Sequence, residues 1–463
     1  MTSQTNLYYP EQDNGLSLKK AFYSGYMWIP IHLVPNPQAL LAAGAYSYTN
    51  PVSGETKTYN VAEQVGDCLR ISRHFMDWSQ VLPYYDTLDL DFPSVDIEDK
   101  VIPRDEKQLK AWEALDAAEN GVLSLAPGRG KTCLAIKKIA STGGAGIVCV
   151  HNTSLLEQWV ERITQFTNLT VDDVGIVWQK SREWDKPIVV AMLQTLVNLE
   201  VPFEIRSRFR IVVFDEVHHI AAPTLGRAAP MFLGSRIGLS ATPDRRDGLE
   251  PLYYANVGDV FYQDLTTELV SEVIFAQFKS GIRGSDKKLR DKAGNKSMAK
   301  MHLALCDHAK RNVAILKRVG RYAAEGRKVL VLSHRKDHPV KLHKLSSLVK
   351  PLKKVRVGVV HRKHSPKERL EILRNHDVSF ATFQIAVEGL DVEMMDTLVC
   401  CTPYSGWGPL QQAKGRIERK ASGKQSPICV IVEDFDLRQA ANMCKTLKKE
   451  LTGHGFTYRE EAL

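Results

Sequence analysis

The chain has 463 residues, of which 44% are hydrophobic and 25% are charged, as in ordinary globular proteins. Its length suggests roughly two to four domains, and its composition excludes disordered, collagen-like and coiled-coil classes. No run of eighteen apolar residues occurs and residues 1–12 lack the features of a leader, so we expect neither a membrane span nor a secretory signal. The eight cysteines form no CxxC pair, which favours reduced core residues of an intracellular protein.

The first 100 residues differ from the rest of the chain. They carry 14 of the 37 aromatic residues and a net charge of −6. Alternating segments at 45–49 and 56–61 flank the turn signal at 50–54, which predicts a β-hairpin. The aromatic residues either stack on bases or form a core, and we favour the core. We assign residues 1–98 to a small β-rich accessory domain that contacts DNA.

From residue 101 onward, short apolar runs alternate with helical segments. Continuous Val- and Ile-rich runs of this kind are typical of parallel strands covered by helices on both faces. The chain is therefore predicted to be α/β, with one parallel-sheet domain at 99–262 and a second at 263–463. The predicted strands are 122–126, 147–150, 188–192, 211–214 and 237–239, then 329–332, 355–360, 379–383, 397–401 and 428–432.

A phosphate-binding loop is predicted between the strand at 122–126 and the helix that follows it. The segment Ala126-Pro127-Gly128-Arg129-Gly130-Lys131-Thr132 is a shortened form of GxxxxGK[ST], with alanine at the first glycine position. Gly128 and Gly130 let backbone amides approach phosphate oxygens at a helix N-terminus. Lys131 is then expected to contact the β- and γ-phosphates of ATP, and the Thr132 hydroxyl to bind Mg²⁺. The alternative is a glycine turn that happens to end in Lys-Thr.

Two adjacent carboxylates end a second buried strand. Asp215 and Glu216 follow the run RIVVF, and the carboxyl ends of strands are where α/β proteins place ligand groups. Side chains alternate along a strand, so the two acids point differently. We expect Asp215 to hold Mg²⁺, partly through water, and Glu216 to polarise the attacking water. A chance pair at an exposed edge is the alternative, which the upstream Lys131-Thr132 makes less attractive.

These motifs resemble the helicases and translocases of superfamily two, and the resemblance extends over nearly all of the chain from residue 101. Gln108 looks like the adenine-reading glutamine of that group, and HNTSLLEQW at 151–159 is similar to motif Ia. The DEVH sequence at 215–218 resembles motif II, and SATP at 240–243 resembles motif III. The resemblance implies that the two later domains are RecA-like motor domains using ATP and Mg²⁺. It further implies that hydrolysis is coupled to movement through His218, Ser240, Thr242 and Gln412.

Motifs V and VI of the superfamily also have counterparts in the second domain. Glu388-Gly389-Leu390-Asp391 looks like motif V, so Gly389 and Asp391 are expected to sense the nucleotide. The segment at 412–419 fits Q-x-x-G-R-x-x-R, and its Arg416 and Arg419 are expected to neutralise charge that develops on the γ-phosphate. Because Arg416 and Arg419 are three residues apart on a predicted helix, we expect them to share a face.

The nucleic-acid contacts are predicted from the motifs and from charge. The resemblance implies that Thr153, Gln194, Thr195 and Thr382 bind backbone phosphates, although helix capping is the alternative for each threonine. Residues 279–374 hold 28 Lys or Arg against 7 Asp or Glu, a net charge of +21, whereas the rest of the chain is net −12. Within that segment, 279–300 is predicted to be a mobile basic loop that contacts DNA, among other residues through Lys287, Lys288 and Arg290.

Among superfamily-two members the chain resembles phage DNA helicases of the UvsW kind and the XPB and RecG-like branch-processing enzymes. We therefore predict an ATP-dependent DNA helicase or translocase that unwinds or branch-migrates forked, branched or single-stranded DNA. The alternatives are a double-stranded DNA translocase that does not unwind, an RNA helicase, and a nucleic-acid-binding protein with a vestigial ATPase. We expect a cytoplasmic monomer, in the host cytoplasm if phage-encoded, with replication or recombination proteins as candidate partners.

Overall fold

The computed structural model describes most of the chain and divides it into two compact units, Met1–Leu265 and Thr266–Leu463. The described residues are 20–49, 54–82, 85–88, 90–241, 243, 247–266, 269–291, 293–361, 363–387, 394–419, 421 and 423–463. Each unit contains one seven-stranded sheet with its own core. The α/β class and the tandem RecA-like sheets after a small β-rich region are confirmed.

The N-terminal part of the first unit is a five-stranded sheet with one separate hairpin. The hairpin strands β3 and β4 pair antiparallel from Ala45 opposite Asn60, as predicted. The sheet order is β5-β6-β2-β1-β7, with β7 added parallel to β1. The strands and helices are β1 Ala21–Tyr23, β2 Tyr26–Pro30, α1 Pro37–Ala43, β3 Ala45–Thr49, β4 Thr56–Asn60, β5 Ala62–Val65, β6 Cys68–Ser72, α2 Trp78–Val81 and β7 Tyr85–Thr87.

Aromatic side chains of this region serve mainly as packing. Trp28 and Trp78 are almost fully buried, and Tyr46, Tyr48 and Tyr59 of the hairpin pack against the core of the first large sheet. Buried Arg236 joins the two parts of the unit, because its guanidinium donates to the carbonyl oxygen of Gly25 at 2.8 Å. The core interpretation of these aromatic residues is therefore the one the packing supports.

All seven strands of the first large sheet are parallel, in the order β10-β11-β9-β12-β13-β8-β14. Their carboxyl ends meet at one edge, since Asp215 pairs with Leu239 and Ser240 pairs with Ser124. The strands are β8 Gly121–Leu125, β9 Gly146–Val150, β10 Val174–Val177, β11 Ile188–Met192, β12 Ile211–Asp215, β13 Ser235–Ser240 and β14 Val260–Asp264.

Helices cover both faces of this sheet and several begin at side-chain caps. Asp105 accepts a hydrogen bond from the Gln108 backbone N–H, and Asn152 accepts one from that of Leu155. These caps fix where α3 and α5 begin, beside the strand ends. The helices are α3 Glu106–Ala117, α4 Lys131–Ser141, α5 Thr153–Phe166, α6 Leu193–Leu196, α7 Phe203–Arg206, α8 Pro223–Gly226 and α9 Glu250–Val257.

The second unit repeats the plan with the order β17-β18-β16-β19-β20-β15-β21, again all parallel. Its strands are β15 Glu272–Phe278, β16 Val329–Ser333, β17 Val357–Val359, β18 Val378–Thr382, β19 Thr397–Cys400, β20 Ile428–Asp434 and β21 Tyr458–Ala462. Its helices are α10 Met298–Asp307, α11 Ala309–Ala324, α12 His338–Ser346, α13 Pro366–Asn375, α14 Phe383–Val387, α15 Trp407–Ile417 and α16 Arg438–Gly453.

The predicted strands are all present, but four more complete the two large sheets. Strands β10, β14, β15 and β21 were not predicted. The last of these, β21 with the sequence YREEA, has no apolar pattern because it is an exposed edge strand held by ion pairs such as Arg459 with Glu272 at 2.6 Å.

Seven of the eight cysteines are buried free thiols and Cys133 is half-buried, so these side chains act in packing. Of the helices that the structure describes, none is long and apolar enough to cross a membrane.

Candidate nucleotide site and nucleic-acid edges

The predicted phosphate loop leaves β8 and enters α4 through two left-handed glycines. Gly128 has φ +79° and Gly130 has φ +83°, and Gly130 is the N-cap of α4. A Cβ at Gly130 would lie 2.1 Å from the Gln108 Nε2 atom. The left-handed backbone therefore demands glycine here, and a Cβ would displace the Gln108 amide, against which the loop closes.

The side-chain amide of Gln108 ties this loop to the segment before α3. Its Oε1 accepts from the Arg104 backbone N–H at 2.8 Å, and its Nε2 donates to the Arg129 carbonyl at 3.3 Å. The Arg104 guanidinium in turn donates to the carbonyl oxygen of Gly128 at 2.8 Å. Gln108 was predicted at this site and Arg104 was not, although the position of Arg104 four residues before that glutamine was a usable signal.

Lys131 and Thr132 lie in the first turn of α4, directly after the loop. The Lys131 ammonium donates to the Leu125 carbonyl at 2.7 Å, so its charge lies over the strand end. Thr132 is half-buried at the second helical position. A helix N-terminus flanked by a lysine attracts anions, because unpaired amides and the helix dipole both favour negative charge.

Asp215 ends β12 at the same sheet edge and is buried. Its Oδ2 accepts from the Trp159 indole N–H at 2.8 Å, and its Oδ1 accepts from the Glu216 backbone N–H at 3.0 Å. Burial, followed by the charge of Glu216, raises the pKa of Asp215 to about 6, while Trp159 and Lys131 act in the opposite direction. A carboxylate that is costly to ionise alone gains from a divalent cation beside it.

The chain turns sharply at Glu216, which has φ +50° and ψ +58°. This left-handed conformation is uncommon outside glycine and costs of order 1–3 kcal/mol, so the surrounding contacts must hold it. The Glu216 carboxylate lies 3.5 Å from Nδ1 of His218. The turn thus aims Glu216 and His218 differently from Asp215, in line with separate roles for the two acids.

A stack of histidine rings connects this turn to the next strand end. The His151 ring stacks on His219 with centroids 3.7 Å apart, and His219 lies 4.5 Å from His218. The Gln194 side chain donates to the His151 carbonyl at 2.8 Å. Burial, and then His219, lower the pKa of His151 to about 3, so its ring is neutral at physiological pH. This stack was not predictable from the motifs, because only folding brings residues 151 and 219 together.

The other predicted residues of the first unit lie at the same edge. Thr153 opens α5 and is half-buried, Gln194 and Thr195 lie in the short helix after β11, and Ser240 ends β13. The edge therefore brings the predicted nucleotide-binding and nucleic-acid-binding residues of this unit together. Thr242 lies outside the described residues.

In the second unit, Gln412 and Arg416 lie on α15, whereas Arg419 does not share a helical face with Arg416. The helix ends at Ile417, and Glu418 leaves the helical conformation. There the Glu418 backbone carbonyl accepts from the Leu269 backbone N–H at 3.3 Å, and the buried Glu418 carboxylate accepts from that of Ser271 at 2.8 Å. The expectation of a shared face was wrong, because these tertiary contacts replace the helix before Arg419. Thr382 ends β18, and Gly389 and Asp391 lie outside the described residues.

The predicted basic loop at 279–300 has internal structure in its described part. Asp436 accepts from the backbone N–H groups of Ser280 and Gly281 at 2.9 and 2.6 Å. Leu289, in a 3-10 turn, is only 2% exposed and packs with Met301. Lys287, Lys288 and Arg290 on either side of this anchor are exposed. The segment therefore presents its cations from a fixed point rather than from a freely moving loop.

The residues of the first unit fit a nucleoside triphosphate with magnesium. The glycine cradle beside Gln108, Lys131 at a helix N-terminus and a buried acid with a raised pKa are the donor set for phosphates and a hard cation. Among the described residues, no three His, Cys, Asp or Glu side chains are grouped to hold a metal ion. Mg²⁺ does not need such a group, since it is commonly held by one or two carboxylates together with phosphate oxygens and water.

A phosphate loop and an acid-ended strand on one parallel sheet, followed by a second such sheet, define a tandem motor protein of the P-loop class. Two family models agree: "Type III restriction enzyme, res subunit" matches residues 98–245, and "Helicase conserved C-terminal domain" matches residues 308–421. The chain belongs to the superfamily-two helicases and is related to XPB-like members. The resemblance inferred from the motifs is thereby confirmed.

Three curated relatives illustrate this relationship. A protein of Acanthamoeba polyphaga mimivirus, named as an ATP-dependent RNA helicase, is 26% identical over 71% of this chain and 62% of its own length. The DNA 3'-5' translocase XPB2 of Sulfurisphaera tokodaii is 29% identical over 52% of this chain and 53% of its own. A protein of Escherichia phage T5, named as a helicase, is 26% identical over 71% and 70%. The chain thus spans less than two thirds of the length of the first two.

The fold also has counterparts among solved structures. A fragment described as the HsdR subunit of a type I restriction enzyme from Vibrio vulnificus YJ016 aligns over 91% of this chain and 78% of its own length, with a TM-score of 0.56 and 16% identity. At that identity the likeness concerns the fold alone, and it supports the tandem RecA-like architecture.

Proposed function

We propose that this protein is an ATP-dependent DNA helicase or translocase that unwinds or branch-migrates forked or junction DNA. The observation that carries the proposal is the meeting, at one edge of the first sheet, of the glycine cradle with Lys131 and the buried acid Asp215. The charge of Lys131 lowers the pKa of Asp215, which supports assigning both groups to one site.

In this proposal Gly128, Gly130 and Lys131 bind the phosphates, and Gln108 reads the adenine. Thr132 and Asp215 hold Mg²⁺, partly through water. Bound Mg-ATP supplies the phosphoryl group whose transfer to water drives the cycle. Glu216, turned by its left-handed backbone, orients and polarises that water. Arg416 and Arg419 neutralise the charge that develops on the γ-phosphate, while Gly389 and Asp391 sense the nucleotide.

The proposed nucleic-acid contacts lie at the carboxyl edges of both sheets. Thr153, Gln194 and Thr195 serve the first unit, and Thr382 with Lys287, Lys288 and Arg290 serves the second. Coupling to hydrolysis runs through His218, Ser240, Thr242 and Gln412. The hydrogen bond from Gln194 to His151, whose ring belongs to the stack that reaches His218, supports such a connection in the first unit.

DNA is preferred over RNA as the substrate because a relative is named a DNA 3'-5' translocase and the matching family model belongs to a restriction enzyme. RNA is the second candidate, since another relative is named an RNA helicase. A translocase that never separates strands is the third. We also propose that the protein acts as a monomer with replication or recombination proteins, in the cytoplasm, which is the host's if the chain is phage-encoded.

ATP hydrolysis with equal concentrations of single-stranded DNA, duplex DNA and RNA tests the proposal. We expect DNA to stimulate hydrolysis and Lys131→Ala to abolish it. Lys138→Ala is the matched control, because it removes the same charge from the same helix without touching the loop. Stimulation by RNA alone would favour the RNA motor, and hydrolysis by the Lys131 variant at the wild-type rate would exclude this site.

Strand separation needs its own assay. Forked, four-way and blunt DNA substrates are incubated with the protein and ATP, and the release of labelled strands is followed. A pure translocase would displace a bound protein from the same DNA yet leave every substrate paired. Release of strands from forks or junctions is the result we expect.

A further inference from the structure

A basic surface lies at the amino edge of the second sheet, opposite the edge that carries the motif residues. The strand starts Val329, Val357 and Val378 are level with one another, whereas Thr382 marks the carboxyl edge. The 3-10 turn at Lys350–Leu352 comes shortly before β17, and α11 ends shortly before β16. Both segments therefore lie toward the amino edge.

The 3-10 turn at Lys350–Leu352 packs directly against the last turns of α11. A Cβ added to Gly320 would lie 2.5 Å from the Pro351 Cβ and 3.3 Å from the Leu352 Cγ. Only glycine permits this approach, so the turn has a fixed place on the helix. Lys317 and Arg321 flank Gly320 on the helix, and three lysines border Pro351 and Leu352 on the turn. We call Lys317, Arg321, Lys350, Lys353 and Lys354 the amino-edge patch.

The patch carries five exposed positive charges. Among the described residues, the four lysine side chains make no hydrogen bond or ion pair, whereas the charge of Arg321 lowers the pKa of Glu461. Other cations at the same edge are paired: Arg356 binds Asp377 at 2.8 Å, and Arg327 lies 3.7 Å from Asp396. Asp377 and Asp396 are therefore already paired with arginines outside the patch. The four lysines have no acidic partner in the described part of the chain, and like charges held this close repel one another, so a polyanion relieves that repulsion.

We propose that the amino-edge patch binds the phosphate backbone of a second duplex arm of branched nucleic acid. The proposal rests on the function proposed above and adds a separate contact to it. The five-residue strand β16 separates the two edges by roughly 13 Å, since each of its four intervals rises about 3.3 Å. A single strand lying along the carboxyl edge does not reach the patch, whereas another arm of a fork or junction does.

The test compares two triple variants of the full chain that remove the same charge. The patch variant carries Lys350→Gln, Lys353→Gln and Lys354→Gln, and the control carries Arg438→Gln, Lys445→Gln and Lys449→Gln on exposed positions of α16. All six side chains are exposed, so both variants are expected to fold. Binding is measured from low to high salt on a four-way DNA junction and on a short single strand.

We expect the patch variant to bind the junction about tenfold more weakly, with a salt slope reduced by roughly 3, while the control variant is unchanged. Binding to the single strand and strand-stimulated ATP hydrolysis should match the wild type. Equal losses in both variants, equal losses on both substrates, or no loss at all would each overturn the proposal. A wild type that hydrolyses no ATP with any nucleic acid would instead overturn the function on which it rests.

Discussion

The indole N–H of Trp159 donates a 2.8 Å hydrogen bond to Oδ2 of Asp215. Trp159 is fully buried on α5, so the bond fixes the carboxylate from a helix that begins at the neighbouring strand end. With Oδ1 held by the Glu216 backbone, the carboxylate is oriented before any cation arrives. This preorganisation spares the site the cost of ordering the acid during the cycle.

Trp159→Phe should weaken magnesium binding while keeping the fold. The change retains an aromatic ring in the core but removes a hydrogen bond that lowers the pKa of Asp215. A higher pKa disfavours the carboxylate, so we expect a several-fold rise in the magnesium concentration that gives half-maximal ATP hydrolysis. Trp184→Phe is the control, since Trp184 is half-buried against the core beside Phe209. An equal rise in both variants would show that packing, not the bond, is responsible.

His151 should matter through its ring rather than through its charge. His151→Ala removes the partner stacked on His219, an interaction worth about 0.5–1.5 kcal/mol, whereas His151→Phe keeps a flat ring there. We expect the alanine variant to lose several-fold in the ratio of DNA-stimulated to basal ATP hydrolysis and the phenylalanine variant to retain most of it. If the ratio of DNA-stimulated to basal hydrolysis fell by the same factor in both variants, ring stacking would not explain the loss.

Gly130→Ala and Gly143→Ala separate backbone strain from steric conflict. Both glycines have positive φ, +83° and +65°, so alanine should cost about 1–2 kcal/mol at either site. Only at Gly130 does the new Cβ also strike Gln108, whereas nothing lies within 4 Å at Gly143. Gly130→Ala should therefore lower ATP affinity at least tenfold and Gly143→Ala leave it unchanged, as measured by titration with a fluorescent ATP analogue.

Acid should destabilise the second unit through buried His338. Its Nδ1 lies 2.9 Å from the Ser333 hydroxyl, its Nε2 lies 3.1 Å from the Asn312 Oδ1, and burial lowers its pKa to about 3. Because the unfolded chain takes up this proton near pH 6.5 and the folded chain does not, stability is present above pH 6.5 and falls as pH drops toward 3. From pH 7.5 to 5.5 the loss is about 1.4 kcal/mol.

Urea unfolding of wild type and His338→Gln at both pH values measures this contribution. The variant should be less stable at pH 7.5 and should lose less stability on acidification than the wild type. If both proteins lost the same free energy of unfolding between pH 7.5 and 5.5, His338 would not be responsible for the loss.

Local motifs were predictable because their chemistry is contained in a few consecutive residues. The glycines of the phosphate loop and the acids at the end of β12 could be predicted from a strand pattern followed by a turn. The end of α15 was not predictable in this way, because Glu418 leaves the helix where it binds Leu269 and Ser271, and Ser271 lies 147 residues away in sequence. The polar strand β21 was also not predicted. Its sequence has no strand pattern, and it is a strand because it pairs with β15, which is distant in sequence.

The sequence predicted the net charge of the basic segment but not which of its cations form ion pairs inside the fold. The net charge of +21 at 279–374 includes Arg311, which is fully buried and bound bidentately by Asp434, and Arg318, which pairs with Glu461. Those two acids lie outside the basic segment, so a count along the chain could not reveal the pairing. The cations available for a polyanion are the exposed ones, such as Lys287, Lys288 and the amino-edge patch.

The position of β15 in the sequence affects how the second unit folds during synthesis. Both of its neighbours, β20 and β21, follow it by about 150 residues or more, so its apolar sequence VIFAQF emerges from the ribosome long before either partner. At about 5–20 residues per second that interval is roughly 10–30 s. During synthesis β15 is an unpaired aggregation-prone strand, and expression yield should depend on chaperones that cover it until the chain is nearly finished.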